Sequence, residues 1–202
     1  MLHFNKKDIN EIVSVLNHDG IIAFPTETVY GLGVKADKEE NFKRLVEVKK
    51  RPADKPFTLM CANKEIIHKY AIIDGSAKKI IDRFMPGKIT LILKAKKGIK
   101  HYLDLGSGYI GFRIPDDEFV LSILKKLDSP LLVPSANISS YPPAMNDKEV
   151  EDYFGDNIDG VVNGSINLDS IPSTVIKLDG STYKILRAGP IKESDIKECL
   201  KW

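Results

Sequence analysis

Apolar residues recur along the chain in two periods, one helical and one extended, and the switches between them outline its elements. Ile9, Ile12, Val13 and Leu16 fall at helical spacing within residues 6–18, Gly20 closes that segment, and Ile21 to Phe24 reads as a buried strand stopped by Pro25. A second helix is predicted from Lys38 to Lys50 with Phe42, Leu45, Val46 and Val48 inward. It ends before Arg51-Pro52, because a proline drives the residue ahead of it out of helical geometry. A strand over 57–61, a helix over 76–84 and a strand over 89–95 follow. The strand over 110–114 is cut by Pro115, after which Asp116 and Asp117 stand where N-caps belong, ahead of a helix carrying Phe119, Val120, Ile123 and Leu124. A strand over 131–133, a helix over 147–154, strands over 160–162, 174–178 and 184–186, and a helix from Glu193 complete the pattern. Helices and strands are mixed throughout, without repeats or a linker rich in Gly, Ser or Pro. The expected fold is therefore α/β, a single domain over residues 1–202 built on a twisted mixed β-sheet with flanking helices.

Composition narrows the partners. Hydrophobic residues make up 43% of 202, enough for a full core, whereas 30 Lys and Arg against 28 Asp and Glu leave a net charge of only +2. A polyanionic polymer is not demanded by that balance, so any positive field must be local. Cys61 and Cys199 stand far apart, which excludes a CxxC motif and suits a reducing compartment. No stretch approaches the ~18 apolar residues of a membrane span. The charged N-terminal segment does not read as a signal peptide, and a cytoplasmic location is expected.

Chemistry concentrates in a few segments. Phe24-Pro-Thr-Glu-Thr-Val-Tyr-Gly-Leu-Gly33 leaves a buried strand and gathers polar groups at its end, either as a ligand site or as a capped turn whose glycines supply unusual backbone angles. Lys49-Lys50-Arg51-Pro52-Ala-Asp54-Lys55-Pro56 puts four cations at a helix C-terminus and in a proline-stiffened loop, which reads as a solvated charge run or as an anion site. In Pro134-Ser135-Ala-Asn137, Ser135 and Asn137 would project the same way from an extended segment and offer a hydroxyl and an amide; an Asx or Ser turn is the alternative. Arg113, between Phe112 and Ile114 in a strand that reads as buried, needs an anionic partner, from the protein or from a ligand. Gly106-Ser-Gly108-Tyr-Ile-Gly111 matches GxGxxG literally but precedes a strand instead of opening a helix, so it is no dinucleotide fingerprint. The four histidines lie in no metal-binding spacing, and Lys94, Lys96, Lys97 and Lys100 read as a solvated hairpin edge.

Taken in order, PTETVYGLG at 25–33, KKRPADKP at 49–56, GFRIP at 111–115, PSAN at 134–137, STV at 173–175 and LRAGP at 186–190 resemble the YrdC-like threonylcarbamoyl-AMP synthases, which begin t6A modification of tRNA. The resemblance implies a basic cavity and the conversion of L-threonine, bicarbonate and ATP to threonylcarbamoyl-AMP and pyrophosphate, with Mg²⁺ carried on the triphosphate. The family's Lys-x-Arg and Ser-x-Asn signature falls on Lys49, Arg51, Ser135 and Asn137 as the catalytic group. By the same matching Thr28, Arg113, Ser135 and Ser173 would hold threonine, and Arg51, Lys55, Asn137 and Arg187 would hold ATP. A downstream threonylcarbamoyl transferase machinery is implied as partner, together with weak tRNA binding. No additional C-terminal domain is expected after LRAGP. Where relatives often carry a histidine, this chain reads Phe57-Thr-Leu-Met60-Cys61, which looks like the YciO branch and bears on the threonine pocket, not on the ATP side. Two other readings stay open. One is a paralogue that handles carbamoyl-adenylate, similar to the module of hydrogenase maturation factors. The other is an RNA-binding module with a concave basic surface, whose affinity would fall steeply with salt.

Overall fold

Alternation of apolar side chains puts successive strand residues on opposite faces of a sheet, and in this chain both faces find cover over only part of its width. The computed structural model describes residues 1–167 and 169–201. In chain order its elements are β1 (Leu2–Phe4), α1 (Ile9–Asn17), β2 (Ile22–Phe24), β3 (Gly31–Lys35), α2 (Glu39–Lys49), β4 (Leu59–Met60), α3 (Lys64–Tyr70), α4 (Gly75–Phe84) and β5 (Ile89–Lys94). There follow α5 (His101–Asp104), β6 (Tyr109–Arg113), α6 (Glu118–Leu127), β7 (Leu131–Leu132), α7 (Asp147–Phe154), a 3-10 turn (Gly155–Asn157), β8 (Gly160–Val162), β9 (Thr174–Asp179), β10 (Thr182–Arg187) and α8 (Glu193–Leu200).

The strands join in one mixed 10-stranded sheet of order β1-β8-β2-β3-β7-β4-β6-β5-β9-β10. Ile22 and Phe24 of β2, Met60 of β4 and Leu131 of β7 pack with Ile12 and Leu16 of α1 and Phe119 to Leu127 of α6 on one face. Ala23, Leu59, Leu91, Phe112 and Ile176 point to the other face, into a larger core with residues of α2, α3, α4, α7 and α8. On the α1/α6 side the covering helices stop at β4. Beyond it, Tyr109 and Gly111 of β6, Ile92 of β5, and Val175 and Lys177 of β9 are only half-buried. That bare half-face leaves room for the site.

Asp117 caps α6, its Oδ1 accepting from the Val120 N–H at 3.0 Å, as expected of an aspartate ahead of an apolar helix. The strand β3 was not expected, since Gly31 and Gly33 are poor strand formers. Neither glycine has a positive φ, so the expectation of unusual backbone angles is corrected. Their role is close approach: a Cβ on Gly33 would lie 2.5 Å from the Phe24 ring, and one on Gly31 2.7 Å from Val133 Cγ1. No helix among the described residues is long and apolar enough to cross a membrane.

Candidate active site

The turn after β2, the loop after α2, and the ends of β6, β7 and β10 converge on a cavity of about 200 Å³. Thr26, Thr28, Arg51, Thr58, Met60, Thr90, Arg113, Ser135, Ser173 and Arg187 line it, with prolines 56, 134, 143 and 172 stiffening its rim. The site is built where strands hand the chain to loops.

Its walls are cationic. The Arg113 side chain is 8% exposed and pairs with Glu27 Oε1 at 2.8 Å, the carboxylate being 13% exposed. Glu27 Oε1 also accepts from the Asp116 N–H at 2.9 Å, which ties the turn after β2 to the entrance of α6. The paired nitrogen is Nη2, which is in ionic contact with Glu27 Oε1 without making a well-aligned hydrogen bond, and among the described residues Arg113 Nε and Glu27 Oε2 have no hydrogen-bond partner. The pair compensates charge while leaving hydrogen-bonding capacity unused on the arginine, which suits an anionic ligand. Arg187 Nε donates to the Ser173 carbonyl at 3.0 Å and Nη2 to Ser173 Oγ at 3.1 Å, and Ser173 Oγ lies 2.8 Å from Thr90 Oγ1. Arg51 is held over the Phe57 ring at 5.2 Å, with weak bonds from Nε to the Lys55 carbonyl and from Nη2 to the Pro56 carbonyl. Burial pulls Arg51 below the usual arginine range, opposed by Asp54; burial and then the Arg113 charge do the same to Arg187. Thr28 is fully buried, its Oγ1 3.1 Å from Thr26 Oγ1, and Thr26 Oγ1 also accepts from the backbone of 28 and 29. The capped turn and the polar site are therefore one structure.

Thr28, Arg51, Arg113, Ser135, Ser173 and Arg187 thus meet on one cavity, whereas Lys49, Lys55 and Asn137 are not among its lining residues. Lys55 is exposed on the loop. Lys49 is only 2% exposed, and its Nζ donates to the Ser135 carbonyl at 2.5 Å, the Asn137 carbonyl at 2.7 Å and Asn137 Oδ1 at 3.2 Å. The solvated reading of this cation is overturned. The Asn137 side chain lies against that of Ser135, its Oδ1 accepting from Ser135 Oγ at 2.5 Å, while its Nδ2 donates to the carbonyls of Ile138 and Tyr141. Lys49 at the end of α2 and Asn137 thus hold the chain around Ser135 through these hydrogen bonds. Burial, with Arg51 nearby, pushes the Lys49 ammonium down to about 7, against the three oxygens that favour its charged form. Sequence reasoning assigned no role to Glu27, although it stands inside the quoted PTETV segment; its only signal was a carboxylate next to a buried strand end. Met60 does line the cavity, beside Arg113 in the β4–β6 ladder.

The family model Sua5_yciO_yrdC, described as telomere recombination, matches residues 14–189. The chain belongs to this family. A threonylcarbamoyl-AMP synthase of Vibrio campbellii is 30% identical over 186 residues, spanning 91% of this chain and 100% of that protein. The structure of P. abyssi Sua5 complexed with L-threonine superposes with a TM-score of 0.90 at 30% identity, over 98% of this chain and 60% of that one. The E. coli YciO structure superposes with a TM-score of 0.82 at 26% identity, over 93% of both chains. As a Sua5/YciO/YrdC member, the chain carries both the Ser-x-Asn loop and a cavity-lining methionine.

Proposed function

We propose that this protein is a threonylcarbamoyl-AMP synthase, consuming L-threonine, bicarbonate and ATP and releasing pyrophosphate. The observation that carries this reading is the convergence of three arginines on one cavity, of which only Arg113 forms an ion pair among the described residues. Arg113 receives the threonine carboxylate, with its unpartnered Nε as a donor. Ser135 has committed its proton to Asn137, so its oxygen accepts from the ammonium or hydroxyl of threonine. Arg51 and Arg187 flank the α-phosphate, with Ser173 fixing the latter.

The amine of threonine bonds to carbon dioxide formed by dehydration of bicarbonate and loses its proton, giving a carbamate. A carbamate oxygen then bonds to the α-phosphorus while the bond to the bridging oxygen breaks, and its electron pair departs with pyrophosphate. No covalent enzyme nucleophile is needed. Catalysis is positioning plus neutralisation of developing phosphoryl charge, which fixed guanidinium groups supply. None of the cavity-lining residues carries a carboxylate, so magnesium enters as part of the MgATP substrate, on phosphate oxygens and water. The product is a reactive mixed anhydride, which a transferase acting on tRNA consumes.

Product analysis with ¹³C-bicarbonate tests the reading: label recovered in an adenylate that also contains threonine supports it, and unlabelled AMP or no turnover refutes it. Arg51→Ala abolishes pyrophosphate release, by a factor on the order of 10² to 10³ as for loss of a main charge-stabilising donor. Ser135→Ala raises the threonine KM instead. Normal kinetics in both variants would remove the assigned site.

A further inference from the structure

A separate cavity of about 350 Å³ lies at the opposite end of the strands from the active site. Its lining includes Asp37, Lys69, Tyr70, Lys96, Lys97 and Lys100, and it shares no residue with the catalytic cavity. Gly31 at the start of β3 lines the catalytic cavity and Ala36, just past its end, lines this one, so roughly 16 Å of extended chain separates the two. Ala36 and Leu103 are buried beneath it, and half-buried Tyr70 and Ile99 add an apolar wall.

Four lysines line this cavity against one carboxylate, and that carboxylate is already engaged: Asp37 Oδ2 pairs with Lys35 at 3.2 Å, and its Oδ1 accepts from Asn41 Nδ2 at 3.4 Å. Of the acidic groups on neighbouring elements, Glu39 pairs with Lys43 at 3.0 Å, Glu40 follows it on the exposed side of α2, and Asp104 accepts from the N–H groups of Gly106 and Gly108. None of the ion pairs among the described residues includes Lys69, Lys96, Lys97 or Lys100. Lys96 and Lys100 are nevertheless held in place, their Nζ atoms donating to the carbonyls of His68 and Asp37, which leaves further donors on each ammonium. Gly98, with a φ of +83°, turns the chain between them, and the N–H groups of Lys97 and Gly98 donate to no backbone carbonyl among the described residues. Edge protection does not explain this cluster, because β5, which it follows, is interior, between β6 and β9.

We propose that this cavity is a second ligand site, one that binds a small molecule carrying two or more phosphate groups. An ammonium is a compact point charge that suits a tetrahedral phosphate from any side, whereas the planar carboxylate is matched by the arginine fork, and no arginine lines this cavity. Two anchored ammonium groups, two unpaired ones and the free N–H groups of the turn supply the donors. Cations gathered around one pocket fit a compact ligand, where an RNA backbone would call for charge spread along a stripe. The site stands independently of the function proposed above, and none of its lysines belongs to the catalytic cavity.

Titration of the ¹⁵N-labelled full chain with inorganic diphosphate, followed amide by amide, tests this without requiring turnover. The Lys97 and Gly98 signals shift and saturate, separately from any response of Gly31 and Ser173 in the catalytic cavity. Lys69→Ala combined with Lys97→Ala weakens the binding read at Gly98 about tenfold or more, the effect of losing charge-assisted contacts, and leaves the response at Gly31 and Ser173 as it was. Both lysines are exposed and hold no other group, so the melting temperature of the double variant stays that of the parent. A response confined to Gly31 and Ser173, or a shift at Gly98 that never saturates, overturns the proposal, the second showing an adventitious ion only. Citrate binding as tightly as diphosphate would overturn the choice of phosphate, and a short RNA duplex that displaces diphosphate from Gly98 at lower concentration would assign the lysines to a macromolecule instead.

Discussion

Lys49 shows at residue scale how a cation can serve a site without touching its ligand. Its three donors hold the Ser135–Asn137 loop, and deprotonation leaves two N–H groups for three oxygens. As pH rises past about 7 the loop loosens and the threonine KM increases. Stability moves the opposite way. The folded-state value lies below the ordinary 10.5, so between about 7 and 10.5 the unfolded chain binds more protons, and stability rises with pH across that window. Lys49→Met removes both trends: melting curves lose their rise through the window, and the threonine KM is high at every pH. Parallel trends in the variant and the parent would exclude the strut. Met60 makes a second residue-scale prediction. Because it lines the cavity beside Arg113, Met60→Ala changes amino-acid selectivity and the threonine KM while the ATP KM stays within about twofold, which steady-state kinetics with both substrates varied will check. The residue types at these positions were readable from sequence, but their partners were not. The carbonyls that bury Lys49 lie 86 and 88 residues away, and nothing local distinguishes that lysine from solvated Lys50.

At the scale of elements, strands and helices with a clean apolar period were legible: the helix over 147–154 and the strand over 160–162 match α7 and β8 in full. Missed were β1, β3, α3 and α5, where the elements are short or their composition argues against them. In β3, glycine weakens strand propensity, but tertiary packing under Phe24 overrides it. Gly189 is the same device at the site. A Cβ there would stand 2.5 Å from the Thr174 nitrogen and 2.6 Å from the Pro172 carbonyl oxygen, backbone atoms that cannot rotate away. Gly189→Ala costs about 1–3 kcal/mol by overpacking and moves the end of β10 away from Ser173, so chemical denaturation and the ATP KM shift together. A stable variant with unaltered ATP kinetics would show that this close approach does not position Arg187.

For the whole molecule, the decisive feature is a sheet whose α1/α6 face is covered as far as β4 and bare beyond it. Sequence patterning predicted the mixed sheet with flanking helices, but half-covering depends on where two helices dock, which no local period encodes. That geometry concentrates three arginines in a chain of net charge +2, so a strong local field coexists with a weak global one. An RNA-binding surface needs charge spread along a phosphodiester backbone; here the arginines face a cavity of about 200 Å³, suited to a small substrate. The central claim meets its most direct test in pyrophosphate release from ATP by the purified protein, with threonine and bicarbonate each supplied or withheld. Release that requires both is the result expected of carbamoyl-adenylate synthesis; release indifferent to either, or none with both present, would contradict it.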